Sequence, residues 1–238
     1  MEDIFVFYES LPMQGPGDDA ITKAIYSDLK IAPNTPLILD VACGTGRQTA
    51  AIASSARGAT IIATDIHVPF LQTLKSNSGH EVVASSMYAL PFKESVFDLI
   101  WSEGAIYIMG FSAGLKAWKS LLKGTGHLVV SGICWFDASP PDELRTYWEH
   151  HYPAIQTEED MVRDAEDAGY QVILTQRLPM QAWENYYAPI IPAIEKWKKN
   201  ADTEVMAFLL EMEEEIRIFR EYGSYYGYMF IVLQKKGG

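Results

Sequence analysis

A carboxylate followed by a tight turn of small residues is the feature of this sequence best suited to hold a ligand. The apolar run at 37–39 ends in Asp40, and the small residues that follow end at Gly46. Small residues let the backbone approach a ligand closely, and the amide groups of a helix N-terminus can bind a carboxylate. Because ligands of open α/β sheets bind beyond the carboxyl ends of the strands, segment 40–46 predicts a nucleotide-like ligand at a strand end.

A second carboxylate, Asp65, ends the next apolar run, where it can accept hydrogen bonds from both hydroxyls of a ribose. The same layout serves dinucleotides, whose fingerprint is G-x-G-x-x-G. Here Gly44 and Gly46 are followed by Arg-Gln-Thr, so the third glycine is absent. Asp40 would also repel a pyrophosphate and favour a sulfonium or amino group. This pattern favours a cationic nucleoside, and a nicotinamide-dependent oxidoreductase is kept as the alternative.

Glu103 is the residue best placed to act on a reacting group, because it comes just past the predicted fourth strand. It could act as a base, orient an amine or contact the ligand. A structural carboxylate at a helix N-terminus is an equally good interpretation. Tyr107, four residues further on, is expected to line the same pocket.

Aromatic residues are concentrated in the second half of the chain and predict a lid over that pocket. Aromatic walls suit a cationic amine through the ring quadrupole, and they suit a flat apolar molecule as well. Ordinary packing explains most of them. His150 and His151 are adjacent and therefore point in different directions on a helix. No HxxxH or HxxE spacing accompanies them, so we predict no metal site.

Short apolar runs that alternate with helical segments predict an α/β fold with a mostly parallel, doubly wound sheet. Acidic helices at 180–222 form a helical insertion between the last two strands, and we expect them to build a lid or substrate-binding subdomain. The seven predicted strands lie at 37–41, 60–64, 81–85, 96–101, 127–134, 170–177 and 228–234.

Composition narrows the partners. The 238 residues are 48% hydrophobic, enough for a single domain with an insertion, and the net charge is −12. This charge argues against nucleic acid and against an anionic membrane surface. With two cysteines, no CxxC and no signal-peptide pattern or apolar run of membrane-spanning length, a cytoplasmic protein is expected. The oligomeric state is not predicted.

With these motifs in place, the chain resembles the class I S-adenosylmethionine-dependent methyltransferases of the type 11/25 kind. It is similar to the ubiquinone/menaquinone-biosynthesis branch, and within it to a bacterial and archaeal group with QGPG at 14–17 and WSEGAIY at 101–107. The general resemblance covers about 30–135, and the closer one runs nearly end to end. It implies strand order 3-2-1-4-5-7-6, S-adenosyl-L-methionine as cofactor and a small-molecule methyl acceptor. A non-catalytic protein that binds the cofactor on the same fold is the alternative.

The resemblance also assigns roles to individual positions. It places Asp40, Ala42, Cys43, Gly44, Thr45 and Gly46 at the methionine end of the cofactor, Asp65 at the ribose, Ile66, Ser86 and Met87 at adenine, and Ser102, Glu103 and Gly104 near the sulfonium.

Two positions depart from the family pattern. The family often has a glycine at the position of Ala42 and an acidic residue at the position of Ser86. A serine accepts a hydrogen bond from the adenine amino group more weakly than a carboxylate does, so contacts to the Met87 backbone could dominate.

We divide the single domain 1–238 into three regions. Residues 1–30 form an N-terminal flap and helix, in which Gln14 and Gly15 would fold over the cofactor. Residues 31–135 form the cofactor-binding core. Residues 136–238 form the acceptor-side half, with the helical lid at about 180–222.

Overall fold

The N-terminal segment lies against the sheet as two helices. The computed structural model describes residues 2–31 and 34–236, so the predicted flap and helix at 1–30 are described from the second residue onward. The two helices are α1 (Glu2–Glu9) and α2 (Asp19–Asp28). The sequence analysis expected only the second, because the short apolar run of α1 carries no recognisable N-cap.

Parallel strands form the half of the sheet that ends in the candidate site. They are buried on both faces at the centre, which explains their apolar runs. These strands are hydrogen-bonded in the order β3-β2-β1-β4. Their bounds are β1 (Leu37–Val41), β2 (Thr60–Asp65), β3 (Glu81–Ala84) and β4 (Phe97–Ser102).

The other half of the sheet is largely antiparallel. After β4 the order continues through β5 (Leu122–Trp135) and β8 (Tyr226–Lys235) to β7 (Tyr170–Arg177), and β8 is antiparallel to both neighbours. A two-residue strand, β6 (Gln156–Thr157), pairs beside β5 and was not predicted. Without β6, the predicted order 3-2-1-4-5-7-6 is confirmed.

The start of β5 differs from the predicted strand at 127–134. The strand begins at Leu122, and its pairing with β4 shifts register between Phe97 and Leu99. Glycine permits this irregularity, because a Cβ at Gly126 would lie 3.1 Å from the Phe97 carbonyl oxygen. The intervening residue, Asp98, turns its buried carboxylate to this junction and accepts the Leu37 amide at 2.9 Å.

Helices cover both faces, as predicted for a doubly wound sheet. Alternation along the strands divides the apolar side chains between the faces, so that Ile100 belongs to one buried cluster and Trp101 to the other. None of the described helices is long and apolar enough to span a membrane. The helices not yet named are α3 (Arg47–Ser55), α4 (Val68–Ser78), α5 (Phe111–Lys119), α6 (Asp142–His151), α7 (Glu158–Asp167), α8 (Met180–Trp197) and α9 (Thr203–Tyr222), with short 3-10 turns at Ile106–Met109 and Lys198–Asn200.

The predicted insertion between the last two strands is present as α8 and α9, which pack against each other and against the face that carries α1. Trp183 and Phe219 stack between the two helices with ring centroids 4.7 Å apart. Phe7 of α1 meets Trp197 edge to face at 5.4 Å. The insertion and the N-terminal segment therefore form one continuous cover.

Asp98 provides a test of how the two halves of the sheet are joined. Besides the Leu37 amide, it binds Lys123 Nζ at 2.8 Å. We expect Asp98→Ala to lower the free energy of unfolding by about 2 kcal/mol, because a buried amide and an ammonium lose their acceptor. Urea unfolding measures the change. Asp167→Ala, at an exposed position, is the control and should change it little; equal effects would contradict this role for Asp98.

Candidate active site

A cavity of about 450 Å³ lies at the carboxyl ends of β1, β2 and β4, beneath the N-terminal segment. Its size is in the range of small-molecule sites. Twelve of the residues predicted from the sequence line it: Gln14, Gly15, Ala42, Cys43, Gly44, Asp65, Ile66, Ser86, Met87, Glu103, Gly104 and Tyr107.

Left-handed backbone shapes the turn between β1 and α3. Ala42, Gly44 and Gly46 have φ values of 57°, 54° and 90°. Two features require glycine at position 46: its positive φ, and the space around it, since a Cβ there would lie 2.5 Å from Leu74 Cγ. Ala42 adopts a conformation that glycine takes more easily, which accounts for the glycine that the family often has at this position.

Asp65 holds the turn in place from the neighbouring strand. Its Oδ2 accepts the Gly44 amide at 2.9 Å, and its Oδ1 accepts the His67 amide at 2.9 Å. Burial raises the pKa of Asp65, and these two amide donors lower it. A carboxylate can accept about four hydrogen bonds, so lone pairs remain for ligand hydroxyls in the cavity.

Gln14 fastens the N-terminal segment to the same turn. Its Oε1 accepts both the amide and the hydroxyl of Thr45, each at 3.0 Å. Its Nε2 donates to the carbonyl oxygens of Tyr8 and Leu11 at 3.2 and 3.3 Å. The side chain lies directly over Gly44, where a Cβ would be 2.6 Å from Oε1. The flap is therefore docked on the predicted ligand-binding turn.

Glu103 lies in the wall of the cavity just beyond β4. Its Oε1 accepts hydrogen bonds from Trp101 Nε1 and from Thr22 Oγ1 of α2, both at 2.8 Å. Burial raises the pKa of Glu103 to about 7, although these donors and the charge of Arg47 lower it. Because Oε1 has both of these donors, Oε2, which would lie 3.5 Å from a Cβ at Gly17, is the oxygen left for the cavity.

Arg47, at the start of α3, is the basic side chain in the cavity wall. It forms an ion pair with Asp19 of α2 at 2.9 Å. Its Nη1 would lie 2.5 Å from a Cβ at Gly17, so the guanidinium packs against the backbone of the flap. Its positive charge is therefore largely compensated by Asp19 and is less available to a ligand in the cavity.

Four predicted residues lie outside the cavity wall: Asp40, Thr45, Gly46 and Ser102. The Asp40 side chain is fully buried behind the turn, where Oδ2 accepts the Thr49 hydroxyl and Oδ1 has no partner among the described residues. Burial raises the pKa of Asp40 to about 8. Thr45 instead binds Gln14. Any influence of Asp40 on a ligand acts through the turn or through its charge.

Comparison with known proteins shows that part of the chain is similar to methyltransferases. Residues 39–130 match the family model described as a methyltransferase domain. Over 114 residues the chain is 29% identical to malonyl-[acyl-carrier protein] O-methyltransferase of Salmonella typhimurium, which is 47% of this chain and 43% of that relative. The match thus spans less than half of the relative.

Solved structures share the whole fold. A SAM-dependent methyltransferase of Geobacter sulfurreducens, in complex with S-adenosyl-L-homocysteine, superposes with a TM-score of 0.84, covering 99% of this chain and 98% of that one at 14% identity. The [4+2]-cyclase SpnF superposes with a TM-score of 0.74 at 15% identity, covering 99% and 93%. Residues 39–130 therefore match a methyltransferase domain, and the whole chain has the fold of S-adenosylmethionine-dependent methyltransferases.

The cavity of this methyltransferase domain has the chemistry that its cofactor class needs. Asp65 and Glu103 are acidic, and Arg47 is already paired with Asp19. A pyrophosphate would be repelled by these carboxylates, whereas a sulfonium and an ammonium are attracted. Ser85, beside the predicted adenine contacts, has a buried hydroxyl with no partner among the described residues. The observed residues therefore fit S-adenosylmethionine better than a dinucleotide.

Several residues of the methyltransferase domain escaped the sequence analysis. Arg47 was noted only as the residue that follows Gly46, and Thr22 and Tyr8 were not considered as site residues. No local pattern marks them, because their roles come from contacts between α1, α2 and the strand ends. Ser85, next to the predicted Ser86, could have been found as a hydroxyl directly after a strand. Among the described residues, no group of three or more His, Cys, Asp or Glu side chains could hold a metal.

The docked flap of the methyltransferase domain leads to a binding prediction. We expect Gln14→Ala to weaken the affinity for S-adenosylhomocysteine roughly tenfold, because the hydrogen bonds that hold the flap on the turn are lost. Isothermal titration calorimetry measures the affinity. Gln181→Ala, in an exposed position on α8, is the control. Unchanged affinity in Gln14→Ala would show that the flap does not contribute to binding.

Proposed function

We propose that this protein transfers a methyl group from S-adenosylmethionine to a small-molecule acceptor, with Glu103 as the base. The observation that carries the proposal is a buried carboxylate in the cavity wall whose pKa is raised to about 7. A base whose pKa is close to the working pH combines a useful ionised fraction with the ability to hold a proton. The cofactor, when bound, supplies a methyl group that is activated by the sulfonium.

The residues that would hold the cofactor follow from the lining of the cavity. Asp65 would accept the ribose hydroxyls, and Ile66 and Met87 would pack on adenine with Ser85 or Ser86 at its edge. The turn at Gly44 would offer its backbone to the methionine end. These roles combine the family resemblance with the position of each side chain in one cavity.

Glu103 would take the proton that the acceptor loses. Trp101 and Thr22 hold Oε1 in place, so the carboxylate keeps its orientation while Oε2 meets the acceptor. The segment 14–17 lines this end of the cavity, where it would limit the access of water and keep the carboxylate in a medium of low polarity. Alignment of the acceptor in a closed cavity would supply much of the rate.

A small molecule is the acceptor favoured by the site. The cavity has the size of a small-molecule site and is lined by α1 but by no residue of α8 or α9, and the net charge of −12 does not suit nucleic acid. The likeness to the malonyl-[acyl-carrier protein] enzyme covers less than half of that relative and does not identify the acceptor.

A second candidate function is supported by the likeness to a cyclase of the same fold. The fold alone does not decide the chemistry, so a protein that binds the cofactor without methyl transfer is a genuine competitor. Incubation with S-adenosylmethionine and panels of amines, phenols, thiols and carboxylic acids, with S-adenosylhomocysteine measured by mass spectrometry, separates the two. Binding without turnover on every panel would favour the competitor.

Asp65 tests the binding half of the proposal. We expect Asp65→Ala to weaken the affinity for S-adenosylhomocysteine roughly a hundredfold, because charge-assisted hydrogen bonds to the ribose and the bond to the Gly44 amide are lost together. Calorimetry measures the affinity, and circular dichroism shows whether the sheet remains folded. A folded variant with the affinity of the wild type would remove Asp65 from the site.

Glu103 tests the chemical half. We expect Glu103→Gln to lower turnover roughly a hundredfold or more, with a much smaller change in cofactor affinity. In the wild type, turnover should rise with pH through a midpoint near 7, because only the ionised carboxylate accepts a proton. The variant should lack this rise. If binding and turnover fall equally, Glu103 belongs to the cofactor contacts instead.

A further inference from the structure

A second, half-buried carboxylate lies behind the cavity wall and has no role in the proposed chemistry. Glu215 of α9 accepts a hydrogen bond from the Tyr187 hydroxyl at 2.9 Å. Its neighbours are compensated by basic side chains, Glu213 by Lys198 and Glu214 by Arg217. No Lys or Arg of the described residues pairs with Glu215 in this way.

The surroundings of Glu215 make its charge costly. Burial raises the pKa of Glu215, and the hydrogen bond from Tyr187 and the more distant, exposed His151 lower it. An ionised carboxylate that is removed from water without a cationic partner lowers the stability of the folded protein, because its desolvation is not compensated. A bound cation close to this carboxyl would favour its ionised form.

Tyrosine side chains surround Glu215. Tyr186 and Tyr187 are adjacent on α8, with ring centroids 5.2 Å apart, and Tyr226 and Tyr228 come from β8. Besides burial, the charge of Glu215 raises the pKa of all four hydroxyls. The negative charge is therefore enclosed by electron-rich rings and not by basic groups.

This cluster reaches the cavity through Tyr8 and Tyr107. Both line the cavity, and the charge of Glu215 raises the pKa of each in addition to burial. The Tyr8 hydroxyl lies 3.3 Å from that of Tyr186 and donates to Met212 Sδ at 3.5 Å, one turn before Glu215. The cavity wall at this end is thus aromatic on its surface and negatively charged behind it.

Unused hydrogen-bonding capacity marks the same cluster. The buried hydroxyl of Tyr226 and the buried indole N–H of Trp183 have no partner among the described residues, and the two rings are 6.3 Å apart. Buried polar groups are nearly always satisfied, and exceptions frequently mark a functional site. This second observation is independent of the charge of Glu215.

We infer that the methyl acceptor carries a positive charge, such as an ammonium group, which binds against Tyr8 and Tyr107 with Glu215 as its counter-ion behind them. The inference rests on the proposed function and names its substrate class. Ring faces attract a cation, and the nearby carboxylate strengthens that attraction where water is excluded. A neutral acceptor would gain nothing from Glu215, and an anionic acceptor would be repelled by its ionised form.

Choline and its uncharged isostere 3,3-dimethyl-1-butanol are the probes that test this inference, because they have nearly the same shape and differ in charge. Their affinities are measured by calorimetry on the full-length protein saturated with S-adenosylhomocysteine. We expect choline to bind the wild type at least about tenfold more tightly than the isostere. Glu215→Gln keeps an acceptor for Tyr187 and should lose this preference.

Glu211→Gln is the matched control. Glu211 is exposed and lies one turn before Glu215 on α9, so this variant loses a carboxylate and should still bind choline more tightly than the isostere. Equal affinities of the two probes in the wild type, or no binding of choline, would overturn the inference even if Glu215→Gln did not fold. A preference that persists in folded Glu215→Gln would also overturn it. If the wild type does not bind S-adenosylhomocysteine at all, the proposed function itself fails.

Discussion

A group of carboxyls buried at the carboxyl edge of the sheet is the constraint on which the rest of this site depends. Asp40 and Asp65 end neighbouring parallel strands and Glu103 follows a third, so the pairing of β1 with β2 and β4 brings all three to one edge. Each is held by hydroxyl, indole or backbone donors instead of a direct ion pair. Arg47, the basic residue in the wall, is committed to Asp19. The edge therefore favours a ligand that brings positive charge, which a sulfonium does.

The N-terminal segment turns this open edge into a cavity through contacts between residues far apart in the chain. Gln14 binds Thr45, and Thr22 binds Glu103 across 81 positions of sequence. Enclosure of the cavity and the environment of Glu103, the proposed base, consequently depend on the same segment. If it lifted away, water would reach Glu103 and its pKa would fall towards the ordinary range, because burial is the main cause of the shift. The position of the N-terminal segment thus affects both ligand binding and the pKa of Glu103.

The sheet could be predicted from the sequence because its parallel strands are buried on both faces and form short apolar runs ahead of Asp40 and Asp65. The turn and the position of Glu103 followed from the same strand ends, and the flap followed from segment 14–17. The prediction did not reach Thr22 or the ion pair of Arg47, since these act only through tertiary contacts. It also expected Asp40 to face the ligand, whereas the fold turns this side chain under the turn to Thr49, and nothing in the local pattern distinguishes the two. Helix α1 (Glu2–Glu9) was not predicted, because its short apolar run carries no clear signal for a helix start.

Glu215 could have been found from the sequence, and its position explains why it matters. Within the run 211–215 its charge resembles a solvated helix face, but it lies three residues after Met212 and four before Phe219, both buried. This spacing puts it on the apolar stripe of α9, where a leucine or methionine would serve packing alone. Ionisation there is costly, as its raised pKa shows. The exclusion of water that causes this cost also strengthens the attraction of the ionised carboxylate for a cation, because screening inside the protein is weak.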